Sequence, residues 1–269
     1  NTVGLLPLFA LNEKGYKRII QLSSLSYLQN SEFADPLISL EELFRDNEGV
    51  AVFSGTVFGL FGNLFEKGKF SEITELYGNL KLHFNDRFYI EIQRHDDANE
   101  TSFEKFNLEN SLKLEIPLIA TNEVFYIDRN MHEAHDALIC IKNKTYINEK
   151  NRLKLSNQHY LKNNEEMLNL FKDLPEALKN NYYFPFRCSF KPSFSKPVLP
   201  NISSSKDGNA DDILKEESIN GLNDKFKKIF KIDTSYLASD KNFLKYKDRL
   251  EHELDIIVEM RYSSYFLIV

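Results

Sequence analysis

The chain lacks the patterns that announce several whole classes of protein. Its 269 residues hold two cysteines, Cys140 and Cys188, too few for a disulfide framework, and without CxxC spacing they offer no zinc site. A reducing cytoplasm is therefore the expected setting. No apolar run approaches the roughly 20 residues that a membrane-spanning helix requires. The opening Asn1-Thr2-Val3-Gly4 has no basic segment followed by a long apolar stretch, so neither secretion nor a membrane is expected. Positive charge is not in excess either. The 34 basic and 40 acidic residues give a net charge of -6, which opposes non-specific binding to polyanions. No internal repeat is evident.

Motifs that carry chemistry by themselves are also missing. There is no GxSxG elbow for a serine nucleophile, no HExxH, and neither a GxGxxG nor a Walker loop. Ser54-Gly55-Thr56, running toward Gly59 and Gly62, reads as a plain strand-to-helix turn rather than a phosphate cradle.

What is present is a folded α/β composition, 42% hydrophobic and 28% charged, enough for one large or two smaller domains. From Leu5 to about Arg187, apolar runs of strand length alternate with amphipathic stretches of helix length, the rhythm of a mainly parallel sheet. Strands are expected at Leu5 to Leu11, Val50 to Phe53, Phe88 to Ile92 and Leu118 to Ala120. Helices are expected near Lys14 to Gln29, Leu40 to Arg45, Phe70 to His83 and Phe103 to Leu114, with Gly49, Asn85-Asp86 and Pro117 as breaks. Shorter helical patterns follow at Glu165 to Phe171 and Leu174 to Asn181. Pro192 to Gly208, with no sustained periodicity, reads as an irregular connector. Two long helices are expected at Ala210 to Phe230 and Asp240 to Met260, the second with Leu250, Leu254, Ile257 and Val258 as its apolar stripe.

Chemistry in parallel sheets sits at the carboxyl ends of strands, which directs attention to Thr121-Asn122-Glu123 and the helical pattern of Met131, Ala134, Leu138 and Ile141 beyond it. His132 and His135, with Asp128, Glu133 and Asp136 close by, are a candidate metal group, although a solvated polar face is the better reading of their spacing. His95 follows the strand Phe88 to Ile92 through Gln93 and Arg94, at a carboxyl end, and is a candidate to face a site, though not the favoured reading. His83, His159 and His252 are isolated and read as surface or capping residues, and Glu91 as inward or paired. No catalytic, cofactor-binding or metal-ligating set emerges from the residues alone.

Order and spacing of several signatures nevertheless resemble one family throughout the chain. These are Leu11-Asn12-x-x-Gly15-Tyr16, Phe53-Ser54-Gly55, Asp86 to His95 (Asp-Arg-Phe-Tyr-Ile-Glu-Ile-Gln-Arg-His), Pro117-x-x-Ala120-Thr121-Asn122-Glu123, Ala134-His135-Asp136-Ala137-Leu138, and Glu165-Glu166-Met167 before Leu174-Pro175-Glu176-Ala177-Leu178. Tyr246-x-x-Arg249-Leu250-x-x-Glu253-Leu254, leading to Tyr265-Phe266-Leu267-Ile268-Val269, completes the set. The resemblance is to the alpha subunits of bacterial DNA polymerase III, the family C replicative polymerases.

That resemblance implies an incomplete PHP-type distorted βα barrel over residues 1–190 with its first strands upstream of Asn1, a connector over 191–209, and the start of a polymerase palm over 210–269 that enters a final strand. The chain is thus expected to be an internal piece of something longer, and its terminal apolar run agrees with that. Metal-holding PHP domains gather His, Asp, Glu and Cys ligands at strand carboxyl ends. Here Leu5 stands at a family His, Thr56 at the Cys of Ser-Gly-Cys, Glu123 at the Asp of Thr-Asn-Asp, and Phe125 at the following His. Only Glu123 keeps a ligand's chemistry, and a carboxylate without imidazole or thiolate neighbours does not hold a closed cluster, so a metal-free scaffold without nuclease activity is expected. The implied partners are a proofreading exonuclease (epsilon-type) subunit here, and the sliding clamp, other holoenzyme subunits and DNA elsewhere in the protein. Mg2+ would serve the full-length polymerase through acidic residues beyond Val269. The rival readings are a stand-alone PHP-type metal-dependent phosphoesterase and a pure interaction module.

Overall fold

Val50-Ala51-Val52-Phe53 and Phe88-Tyr89-Ile90-Glu91-Ile92 are apolar on nearly every position, as strands covered on both faces must be. In the computed structural model, which describes residues 2–29, 35–196, 209–230 and 240–269, both are buried at every position. They form β2 (Val50–Phe53) and β3 (Phe88–Ile92), flanked by β1 (Leu8–Ala10) and β4 (Leu118–Ala120) in a four-stranded sheet of order β1-β2-β3-β4. β2, β3 and β4 run parallel, while β1 pairs antiparallel with β2. The fold is therefore α/β with a mostly parallel sheet.

Strand period sorts the side chains into two layers. Val50, Val52, Phe88, Ile90 and Ile92 join the larger core with Phe61, Leu64, Ile73, Tyr77, Leu80, Phe84 and Phe103 from the helices on that face. The alternate residues Ala51, Phe53 and Tyr89 join Leu11, Ile119 and Phe184 in a smaller core on the other face. The helices are α1 (Glu13–Leu28), α2 (Leu40–Phe44), α3 (Leu60–Glu66), α4 (Phe70–Phe84), α5 (Glu100–Leu114), α6 (His132–Lys142), α7 (Asn164–Leu170) and α8 (Pro175–Arg187). Asn163 and Glu166 make a reciprocal capping box at the start of α7.

The first signature has a physical origin. Asn12 caps α1, its side chain accepting from the Gly15 N–H at 3.0 Å. Gly15 presses against the Gly49 carbonyl so closely that a Cβ there would lie 1.9 Å from the oxygen. That same carbonyl accepts from the Leu11 N–H at 2.8 Å, and Gly49 itself has φ +73. In the second long signature, Arg87 donates to the carbonyls of Asn47 (2.6 Å) and Val50 (2.5 Å), tying the start of β3 to the start of β2.

β4 is an edge strand, and α8 covers that edge. Asn180 and Asn181 donate side-chain N–H groups to the carbonyls of Leu118 (2.7 Å) and Ala120 (2.8 Å). Replacing either by alanine leaves one of these carbonyls without its partner and is expected to cost about 1–2 kcal/mol, measured as a lower urea midpoint by circular dichroism.

Several expectations need correction. The strand expected over Leu5 to Leu11 is shortened to Leu8–Ala10. Pro7 lacks an N–H, and the Leu5 carbonyl is turned toward the Leu60 N–H at the start of α3. Ser54-Gly55-Thr56 does lead from strand to helix, and the helix it leads to, whose bounds were not read from the sequence, is α3, where Leu60, Phe61 and Leu64 bury one face against the core. α5 begins at Glu100, ahead of the expected Phe103, and α8 runs on to Arg187 past the expected Asn181. The apolar face of α6 is exposed, with Leu138 at 61% and Ile141 at 73%, and Cys140 is that helix's buried residue.

The chain divides into the units Asn1–Pro192 and Ser193–Val269. The second holds α9 (Ala210–Phe230), α10 (Lys241–Glu259) and α11 (Ser263–Ile268), with Phe226 and Phe243 packed at 5.3 Å as its core. Leu254 lies on the buried stripe of α10 as expected. α11 stands where a final strand was expected. A helix satisfies its own backbone groups, whereas a strand there has no sheet partner among the described residues. Most of the expected connector, residues 197–208, lies outside the described residues. No helix among the described residues is long and apolar enough to cross a membrane.

Candidate functional site

The carboxyl ends of β3 and β4 carry Gln93 to Asp97 and Thr121 to Glu123, and a third segment joins them. Tyr126 and Tyr160 form an isolated parallel bridge, with Phe125 N–H donating to the His159 carbonyl (2.9 Å) and Leu161 N–H to the Tyr126 carbonyl (3.0 Å). This pairing brings His159 over the strand ends and buries it completely. The expected surface or capping role for His159 is therefore wrong. Its burial depends on a short pairing between two irregular segments, which leaves no periodic trace in the sequence. His83 and His252 are exposed as expected, His83 stacked on Phe44.

His95 and His159, both buried, stack with centroids 4.2 Å apart and planes within 3°. His159 Nε2 lies 3.0 Å from Asp97 Oδ2, and its Nδ1 faces Glu123 Oε2 at 3.8 Å without a hydrogen bond. His95 Nε2 lies 3.1 Å from Asn122 Oδ1 and 3.2 Å from the Glu123 amide nitrogen. A neutral imidazole nitrogen either donates or accepts, so its tautomer selects one of the two. On the other side of the ring, Nδ1 is 3.5 Å from Glu100 Oε1, and Glu100 Oε2 accepts from the His95 backbone N–H at 2.7 Å. Lys162 reaches in from the third segment and donates to Asn122 Oδ1 (3.1 Å) and to the Gln158 carbonyl.

Below this layer lies Glu91, both buried and paired. Its Oε1 accepts from Gln93 Nε2 (3.0 Å) and from the Thr121 hydroxyl, while Oε2 has no partner. Burial pushes its carboxyl above the ordinary range, against the lowering effect of the Thr121 and Gln93 hydrogen bonds. A cavity of about 10 Å³, enough for one water-sized species, is lined by Thr56, Glu91, Gln93, Glu100 and Asn107. Thr56 itself accepts from the Phe58 N–H, as a turn residue does.

Arg94 fastens this end of the sheet to its surroundings. It forks onto Glu104 of α5 (2.5 and 3.0 Å) and onto Asp173 (2.7 Å to each oxygen), donates to the Leu170 carbonyl (2.6 Å), and lies 4.8 Å over the Phe171 ring.

The group drawn from the sequence around His132 and His135 is not brought together. His132 Nε2 meets the Leu155 carbonyl at 3.0 Å, His135 stacks on Phe125, and Asp136 forks onto Arg152. Burial holds the His135 pKa below its ordinary value. Among the described residues, the cluster whose ligand-type atoms lie within 4.8 Å of one another is His95, Asp97 and His159. Glu123 therefore does have imidazole neighbours, contrary to the expectation. Asp97, Glu100, His159 and Lys162 were not singled out from the sequence as site residues. Only Asp97, two residues after His95, carried a local signal.

Residues 4–95 match the PHP domain family. Along nearly its whole length the chain is similar to DNA polymerase III alpha subunits. It is 32% identical over 264 residues to that of Caulobacter vibrioides and 34% over 263 residues to that of Rickettsia bellii, covering 98% and 97% of this chain. The Vibrio cholerae alpha subunit is 34% identical over 98% of the chain. The chain spans about a fifth of these relatives' length, 22% in each case. Residues 4–95 thus carry a match to the PHP domain, and nearly all of the chain is similar to one segment, about a fifth, of the DNA polymerase III alpha subunits.

Proposed function

We propose that this chain is a segment of the catalytic subunit of a replicative DNA polymerase, which copies a template 5' to 3', and that the segment is a metal-depleted PHP scaffold on which a proofreading exonuclease subunit docks. The observation that carries the polymerase reading is the similarity, at 32–34% identity over 97–98% of the chain, to proteins that all bear the one name. In this reading the aspartates that hold Mg2+ lie outside the segment, as do the contacts to clamp and DNA, and the protein works in the cytoplasm. Continuing the open reading frame past Val269 tests it. A glycine-rich stretch followed by paired aspartates is expected, and an early stop overturns the reading.

Metal depletion is supported by the side chains at the strand ends. Leu5, Thr56 and Phe125 supply no imidazole, thiolate or carboxylate. Lone pairs of imidazoles lie in the ring plane, so two rings stacked at 3° send theirs in parallel planes and do not converge on one ion. His159 Nε2 is already engaged by Asp97. One ring must turn out of the stack before His95, Asp97 and His159 surround a metal with ordinary geometry. Purified protein is expected to hold only substoichiometric zinc and manganese and to show no chelator-sensitive phosphoesterase activity. A stoichiometric metal with such activity favours the second reading, a PHP-type phosphoesterase, whose support is the proximity of those three residues.

A further inference from the structure

The segment that delivers His159 is held by side chains rather than by packing. Between α6 and α7 the chain runs through residues 143–163 without a helix, and its one β contact is the Tyr126–Tyr160 bridge. No residue from 143 to 158 is buried, and Tyr146, Ile147 and Leu153 are at least half exposed. Two sets of polar contacts fix the stretch instead. Near its middle, Arg152 forks onto Asp136 of α6 (2.5 and 2.6 Å) and donates to the carbonyls of Ile147 and Leu153 (3.2 Å each). Its side chain is only 4% exposed. Further on, the Leu155 carbonyl lies 3.0 Å from His132 Nε2, and the Ser156 carbonyl accepts from the Tyr126 hydroxyl at 3.2 Å. Asp97 takes the Ser156 N–H at 3.4 Å through one oxygen and meets His159 Nε2 at 3.0 Å through the other. Under this stretch lie the stacked rings of His95 and His159, both buried.

We infer that residues 143–163 form a strap that opens as a unit while the sheet stays folded, with the Arg152–Asp136 fork as its latch, and that this opening is the way solvent or a partner molecule reaches His95 and His159. A segment with few buried apolar contacts opens locally at a smaller free energy than the whole domain, whereas β2 and β3, buried at every position, open only with their unit. The fork is bidentate and charge-assisted, which makes it the strongest of the anchors. Neither of its members touches the two buried imidazoles, so it can be removed without altering the groups that the strap covers. The inference concerns access alone and does not rest on the metal-depleted reading.

Labelling of the whole chain with diethyl pyrocarbonate, read by mass spectrometry against the exposed His83 and His252, tests it. In the native chain His95 and His159 are expected to label slowly. Arg152→Met is expected to speed both by about fivefold or more and to leave His83 and His252 unchanged. Hydrogen exchange separates opening from unfolding, because the variant is expected to lose protection in residues 156–163 and to keep it in β2 and β3. If Arg152→Met does not fold, the native chain in urea below its unfolding transition decides the matter. Amides of residues 156–163 are then expected to exchange with little dependence on urea, and those of β3 with a steep one. Equal labelling in native and variant chains, or strap and sheet amides that exchange together with the same urea dependence, overturns the inference.

Discussion

Gly15→Ala is expected to destabilise the first unit by at least ~3 kcal/mol, at the upper end of overpacking substitutions. The added Cβ would lie 1.9 Å from the Gly49 oxygen and 2.4 Å from its carbonyl carbon, and neither neighbour can swing aside as a flexible side chain would. The carbonyl is pinned by the Leu11 N–H, and Gly49, at φ +73, is hemmed in by the Asn12 side chain. Relief therefore requires α1 to lift off the sheet or the turn before β2 to open. Gly78→Ala is the internal control. A Cβ at that position in α4 meets nothing within 4 Å, so the same change there is expected to stabilise by about 0.5–1 kcal/mol through helix propensity. The chain contains no tryptophan, so urea unfolding followed by circular dichroism is the suitable measurement. Equal and small effects at the two glycines would show that α1 does not press on Gly49 as described.

Arg94→Leu is expected to cost about 3 kcal/mol, the low end of the range for removing one member of a buried ion pair, because this network is partly exposed. Arg94 and Glu104 have side chains only 20% and 16% exposed, so the substitution strands a desolvated carboxylate and also forfeits the contact with Phe171. Lysine cannot reproduce two forks at once, so Arg94→Lys is expected to recover only part of the loss. The difference between native and variant depends on pH. The guanidinium holds the Asp173 carboxyl below its ordinary range. A depressed folded pKa stabilises above the unfolded value near 4 and loses its effect as pH falls through the folded one. The gap between native and Arg94→Leu unfolding curves should therefore be full near neutrality and shrink below about pH 4. A gap that is constant across that window would remove Asp173 from the account.

The sheet was legible because its strands advertise themselves. β2, β3 and β4 keep the bounds read from their apolar runs, since Gly49, Asn85-Asp86 and Pro117 break the chain beside them. α9 was equally plain from its period. Where neighbours decide, the reading failed. The extent of the helix Leu60–Glu66 is set by burial against the core and was not read, and Ser263–Ile268 is a helix although its apolar run resembles a strand. The site divides in the same way. His95 was placed at a strand end by local pattern alone. His159 and Lys162 reach it through one bridge between Tyr126 and Tyr160, a contact that neither periodicity nor spacing encodes. The expectation that Glu123 stands apart from imidazoles failed for that reason.

The side-chain amides of Asn180 and Asn181 give the sheet a polarity in how it can associate. With the outward carbonyls of Leu118 and Ala120 already occupied, a foreign strand approaching from that side finds its acceptors taken and is turned away from edge-to-edge stacking. Lateral growth, whether docking or aggregation, is therefore blocked at the border beside Leu118–Ala120.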